Sequence, residues 1–96
     1  MLIQLSKFGK FLSTRDIGKI IKSEITSILD GNNNVIVDFE GISQITQSCA
    51  DEIFGKLVLE IGLSKFKKCI KIKNTDEVTS VIIKYTISKR LTNGSI

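Results

Sequence analysis

The sequence predicts a single α/β domain over residues 1–96, a small mixed β-sheet with helices packed on it. Three observations carry that expectation. The run Val35-Ile36-Val37-Asp38-Phe39 is β-branched and nearly continuous, as a central strand covered on both faces is. Ile17, Ile20, Ile21, Ile25, Ile28 and Leu29 recur at three- and four-residue steps, which marks one apolar helical face. Short strands and amphipathic helices alternate to the end in the order β-β-α-β-α-β-α, and a strand, crossover helix and strand favour a parallel, right-handed arrangement.

Taken in order, Leu2 to Leu5 and Phe8 to Leu12 are short apolar stretches around Ser6-Lys7 and Gly9, and they predict an N-terminal hairpin. Ser13 and Asp16 stand at capping-box spacing before the first helix, and Asp30-Gly31-Asn32 marks its end. After the central strand, Ala50, Ile53, Phe54, Leu57, Val58 and Ile61 form a second helical face that Gly62 closes. Ile70 and Ile72 alternate with Lys71 and Lys73, a strand with one apolar and one wet side. Val78, Val81, Ile82 and Tyr85 predict the face of a third helix, capped from Asn74 and Glu77, with a fraying tail, RLTNGSI.

Composition limits the chemistry. Ninety-six residues with 42% apolar side chains make one core and no more. No apolar run exceeds three residues, so no membrane span is expected, and MLIQLSKFGK lacks the long apolar core of a secretory signal; a cytoplasmic protein is the expectation. There is no histidine, and the two cysteines, Cys49 and Cys69, form no CxxC pair. That excludes Cys/His zinc sites, Ser-His-Asp and Cys-His catalysis and histidine phosphotransfer. The net charge of +4 is carried by the second half, chiefly by Lys65, Lys67, Lys68, Lys71 and Lys73. Two readings stand for this cluster: solvated lysines guarding an exposed strand edge, or a nucleic-acid footprint, which here lacks interleaved arginines and has only Phe66 nearby.

Chemistry-bearing residues gather in DFEGISQITQSCADEIFGKL, residues 38–57. Ser48 has two readings. As an N-cap at capping-box spacing from Asp51 its hydroxyl satisfies free helix amides and contributes about 1 kcal/mol. As a phosphate acceptor it would place about two negative charges beside a helix N-terminus, where Asp51 and Glu52 would repel them. Cys49 reads as a small packing residue, since no histidine and two nearby acids leave its thiolate unsupported. Arg15, at an electrostatically poor helix start, either reaches Asp38 or the Asp51-Glu52 pair across the end of the sheet, or is solvated. Asp38, Glu40, Asp51 and Glu52 supply carboxylates for acid/base work. Without a glycine-rich phosphate loop, a nucleophile–base pair or room for a deep pocket, no enzyme, metal or cofactor is expected.

The stretch VIVDFEGISQITQSCADEIFGKL resembles the central strand, switch loop and second helix of the STAS domain, the family of bacterial anti-sigma factor antagonists. The resemblance is closer to the STAS-like group of the DUF4325 type. It rests on Phe8-Gly9, Thr14-Arg15, Asp38-Phe39, and Ser48 with Asp51-Glu52, and it covers roughly residues 2 to 90. The antagonist motif has an aspartate two positions before its phosphorylated serine and a glycine after it, where this chain has Thr46 and Cys49.

The resemblance implies a bacterial signal-transduction domain that binds a protein partner, a GHKL-type ATPase or serine kinase. The expected surface is the loop 41–48 and the exposed side of the helix from 48, comprising Ser43, Gln44, Thr46, Gln47, Ser48, Asp51, Glu52 and Arg15, with Ser48 as the possible phosphorylation site. The alternative is an accessory protein that binds nucleic acid through Lys65 to Lys73. A homodimer pairing through an exposed strand edge is compatible with either.

Overall fold

In the computed structural model, which describes residues 1–94, a parallel sheet in the order β1-β3-β5 forms one layer against four helices. Its strands are β1 (Leu2–Gln4), β3 (Val35–Asp38) and β5 (Ile70–Lys73). A second, two-residue parallel pair joins β2 (Phe11–Leu12) to β4 (Gln44–Ile45). The helices are α1 (Arg15–Asp30), α2 (residues 47–61), α3 (Leu63–Cys69) and α4 (Glu77–Gly94). No helix among the described residues is long and apolar enough to cross a membrane.

The expected N-terminal hairpin does not form. A 3-10 turn over Leu5–Phe8 and the left-handed Gly9 (φ 122°) separate β1 from β2. Each then pairs in parallel with a distant strand, β1 with β3 and β2 with β4. The gain is burial: Ile3, Leu5 and Leu12 all enter the core, whereas a lone two-stranded hairpin is marginal in water. β3 is the central strand as expected, but its outer side is covered only in part, at Asp38. Val35 and Val37 are buried, while Ile36 lies in the outer row with Leu2 and Lys71, in solvent.

Helix α1 is capped one residue later than expected, with Ile17 N–H donating to Thr14 Oγ1 at 3.2 Å in place of a Ser13–Asp16 box. Its buried line is Gly18, Ile21, Ile25 and Leu29; Ile20 is exposed. At its end Asn32, not Gly31, takes the left-handed conformation (φ 61°). Gly18 is where α1 meets α2 backbone to backbone, since a Cβ there would lie 2.8 Å from Glu52 Cβ and 3.1 Å from the Cys49 carbonyl oxygen.

Helix α2 is a composite, α-helical at Gln47–Ala50, π-helical at Asp51–Gly55 and α-helical again at Lys56–Ile61. Cys49, Ala50, Ile53, Phe54, Leu57 and Val58 point into the core, where the Phe54 ring meets Phe39 (6.1 Å between centroids) and Phe66 (6.3 Å). Gly62 (φ 84°) ends it, and the chain turns straight into α3, an element the sequence reading missed. Three of the clustered lysines, Lys65, Lys67 and Lys68, therefore sit on a helix whose inner side is Leu63, Phe66 and Cys69. Only Lys71 and Lys73 guard the edge strand β5.

The face of α4 is also other than expected. Val78 (69% exposed), Val81 (61%) and Tyr85 (51%) point into solvent, and the helix packs on α2 through Thr79, Ile83 and Thr86. Threonine tolerates this burial because its hydroxyl bonds back to the helix: Thr86 Oγ1 donates to the Ile83 carbonyl at 2.9 Å. The cap is Asp76, whose Oδ1 accepts from Thr79 N at 2.7 Å, and not an Asn74–Glu77 box. Asn74 takes a left-handed turn (φ 61°) and donates to Asp38 Oδ1 at 2.8 Å.

Candidate functional site

The two-residue pair β2–β4 brings two helix starts together. Leu12 and Ile45 are register partners, and each is followed within two residues by a threonine cap, Thr14 for α1 and Thr46 for α2. Thr46 is tied to the first start as well: its N–H donates to the Leu12 carbonyl at 2.9 Å and its hydroxyl to the Ser13 carbonyl at 3.1 Å. Thr46 Oγ1 also accepts from Cys49 N at 3.2 Å. The cap is thus Thr46, and the expectation that Ser48 fills that role is corrected. Ser48 is exposed, in the first turn of α2.

Beyond the cap, the π-helical turn directs both acids of the Asp51-Glu52 pair to one cation. Arg15 Nη1 lies 3.1 Å from Asp51 Oδ2 and 3.1 Å from Glu52 Oε1, so of the partners open to Arg15 it takes the acid pair and leaves Asp38. Lys56 Nζ holds the other oxygen of Glu52 at 2.8 Å. From α4, Arg90 grips Asp51 with two bonds, Nε to Oδ1 at 2.8 Å and Nη2 to Oδ2 at 2.6 Å. These are the chain's two arginines, and both converge on Asp51. Arginine's planar fork suits a carboxylate with two faces to fill, which lysine cannot match.

The charges respond. Arg90, then Arg15, hold the Asp51 carboxyl below its ordinary range against the opposing effect of burial. For Glu52 burial is the largest single influence and raises it, but Lys56 and Arg15 together outweigh that and lower it. Both arginines are held more firmly protonated in turn, chiefly by their bonds to Asp51. Asp38 is stabilised as a carboxylate by the Asn74 amide and the Glu40 N–H. The buried Cys49 thiol is pushed up to about 11, by burial first and by Glu52 second, which suits a packing residue and not a nucleophile.

Between the start of α1, α2 and the C-terminal half of α4 lies a depression of about 480 Å³. Gln47 and Ser48 form one wall, Arg15, Lys89 and Arg90 supply three cations, and Asp51 the one carboxylate. Ser43 and Gln44 lie elsewhere on the surface, and with Val78 and Ile82 of α4 they border a separate groove. Of the eight residues expected at a partner surface, Arg15, Ser43, Gln44, Gln47 and Ser48 are exposed and Asp51 is at the cavity wall. Thr46 is spent on capping, and Glu52, 2% exposed, lies beneath the surface as a support for Arg15. Arg90 and Lys89 went unpredicted: Arg90 opens the tail expected to fray, and Lys89 stands just before it. The signal for Arg90 was its being one of only two arginines in a chain with twelve lysines. Among the described residues no cluster of His, Cys, Asp and Glu could hold a metal ion.

A layered α/β domain with a parallel sheet, a capped elbow after its central strand and a serine in the first turn of the following helix is of the STAS-like class. The sequence profile of the STAS-like domain of unknown function, DUF4325, matches residues 17–79, well over half of the chain, and the chain belongs to that family. Neither a curated protein nor a solved structure matches it.

Proposed function

We propose that the protein is a non-enzymatic regulatory domain that binds a protein partner, a GHKL-type ATPase or serine kinase, through the elbow 41–48 and the start of α2, in the cytoplasm of a bacterium. One observation carries this reading. Ser48 is exposed, is released from capping by Thr46, and borders a cavity with Arg15, Lys89 and Arg90 on its walls. The acids that would repel a phosphate there are already neutralised: Asp51 by two arginines, Glu52 by Arg15 and Lys56. A phosphoserine at position 48 would meet net positive charge, and it would change both the shape and the sign of the surface offered to a partner. The test is capture of partners from the native lysate with and without ATP, using wild type, Ser48→Ala and Ser48→Glu. The reading expects an ATPase or kinase that wild type and Ser48→Ala retain and Ser48→Glu loses; retention of the same proteins by all three sinks it.

A second reading, binding of nucleic acid, is favoured by one fact: none of Lys65, Lys67, Lys68, Lys71 and Lys73 enters an ion pair among the described residues. Phosphate contacts release counterions, so such binding would weaken steeply with salt and disappear when the five lysines become glutamine. An apolar protein interface would respond to neither.

A further inference from the structure

We propose that α4 is a self-association surface on which two copies of this chain pair as antiparallel helices. Val78, Val81 and Tyr85 follow one another at three- and four-residue steps, so they form a single exposed apolar line on a helix otherwise packed on α2. Half-buried Ile82 widens that line. Beside it, on one flank, stand Glu77 and Lys84, seven residues and therefore two turns apart, both exposed and neither ion-paired among the described residues.

This pattern is complementary to itself. A twofold axis perpendicular to α4 near Ser80-Val81 runs the second helix antiparallel and sets each flank against the same flank of its copy. Glu77 then faces Lys84 of the partner subunit, and the contact occurs twice. With the same axis, Val78 falls between Val81 of the partner subunit and Tyr85 of the partner subunit, so knob meets gap along the line. A parallel pairing would instead set this flank against the opposite flank of the copy, so Glu77 and Lys84 would not meet. The charges therefore select the antiparallel arrangement, and they select a second copy over an unrelated helix, which has no reason to carry the inverse pattern.

Eighteen residues of helix span about 27 Å, and an apolar line of three or four side chains on that length corresponds to an interface at the small end of the specific range. The dimer is therefore weak and forms in the micromolar range. Lys89, which borders the Arg15–Ser48 cavity, continues the line one turn beyond Tyr85, with its ammonium 5.9 Å from the centre of the Tyr85 ring, so the charged end of the line adjoins that cavity.

Sedimentation velocity over a concentration range of about 1 to 500 µM, spanning the weak dimers such interfaces give, tests this directly. Wild type should shift from one chain mass toward two. Val81→Asp should stay monomeric. Glu77→Lys and Lys84→Glu should each weaken association by about tenfold or more, while the double variant Glu77→Lys/Lys84→Glu recovers it. Circular dichroism confirms that each variant is folded. A wild type that stays monomeric at the highest concentration overturns the proposal. So does a dimer indifferent to Val81→Asp and to the charge exchange, which would place the contact elsewhere, as at the β5 edge.

Discussion

Arg90 and Asp51 meet end to end, with Nε on one carboxylate oxygen at 2.8 Å and Nη2 on the other at 2.6 Å, and this fork pins the last helix to the π-helical turn of α2. It joins elements 39 residues apart in sequence, at the point where Arg90 also packs over Gly55, whose Cβ would lie 3.0 Å from Arg90 Cγ.

Removing Arg90 should therefore loosen α4. Asp51 keeps Arg15 as a partner and Arg90 is partly solvated, so Arg90→Ala is expected to cost about 1–2 kcal/mol, the range of a hydrogen-bonded charge pair discounted for exposure. Arg90→Lys should recover less than half of the loss, because a single ammonium cannot span both oxygens. Urea unfolding of the three proteins checks both statements; equal stability of Arg90→Lys and wild type would show that charge alone matters.

Stability should fall with acid, and the sign follows from the two carboxyls. Asp51 and Glu52 both titrate lower in the folded chain than in the unfolded one. Their contribution is fully present above the unfolded values near pH 4, and it drains away as pH falls through the folded values. Wild type should thus hold a flat melting temperature above about pH 5 and lose it below about pH 4. Asp51→Asn, less stable at neutral pH, should show a shallower acid decline.

The two hydroxyls of the elbow should behave differently. Thr46→Ala removes the cap on Cys49 N and the tie to the Ser13 carbonyl, and a loss of about 1–2 kcal/mol is expected. Ser48→Ala removes an exposed hydroxyl with no role in the cap and should stay within about 0.5 kcal/mol of wild type. Thermal melts decide it, and the reverse order would restore Ser48 as the cap.

Gly18→Ala sets two effects against each other. Helix propensity favours alanine by about 1 kcal/mol, but the added methyl would sit 2.8 Å from Glu52 Cβ and 3.1 Å from a backbone oxygen, neither of which is the free end of a flexible chain. Overpacking of this kind costs about 1–3 kcal/mol, so a net loss is expected. It should be accompanied by a shifted Arg15 resonance, because Glu52 carries the Arg15 bond. A stabilised Gly18→Ala would mean that α1 and α2 slide apart freely.

Much of this fold was legible where apolar spacing is dense. Ile21, Ile25 and Leu29 mark α1, Val35 and Val37 mark β3, and Ile70 marks β5, each by side chains with no alternative but the core. The cost of a cation at a helix start marked Arg15 out, but it left the acid pair, Asp38 and solvent as alternatives, and the geometry chose the acid pair. Three features were not legible. Ser13 and Ser48 resemble caps as well as Thr14 and Thr46 do, and only the β2–β4 register decides between neighbours that differ by one or two positions. The face of α4 misled because Val78, Val81 and Tyr85 are more apolar than Thr79 and Thr86, yet the bidentate Arg90 bond and the self-bonded Thr86 turn the helix the other way. The π-helical turn left no mark at all, since its extra residue is visible only when Asp51 and Glu52 are seen to share one guanidinium.

The parallel strand pairs have a consequence for the order of events in folding. Leu2 pairs with Ile36, Phe11 with Gln44 and Val35 with Ile70, so every ladder joins residues about a third of the chain apart. With no local hairpin to serve as a seed, each ladder must first close a long loop, which makes folding slow for a chain of this size. During synthesis β1 has to wait, unpaired, until its neighbour β3 has left the ribosome, while α1, which needs only its own residues, is already free to coil. Stopped-flow refolding should show milliseconds or longer for the sheet core, and microsecond kinetics would contradict this order.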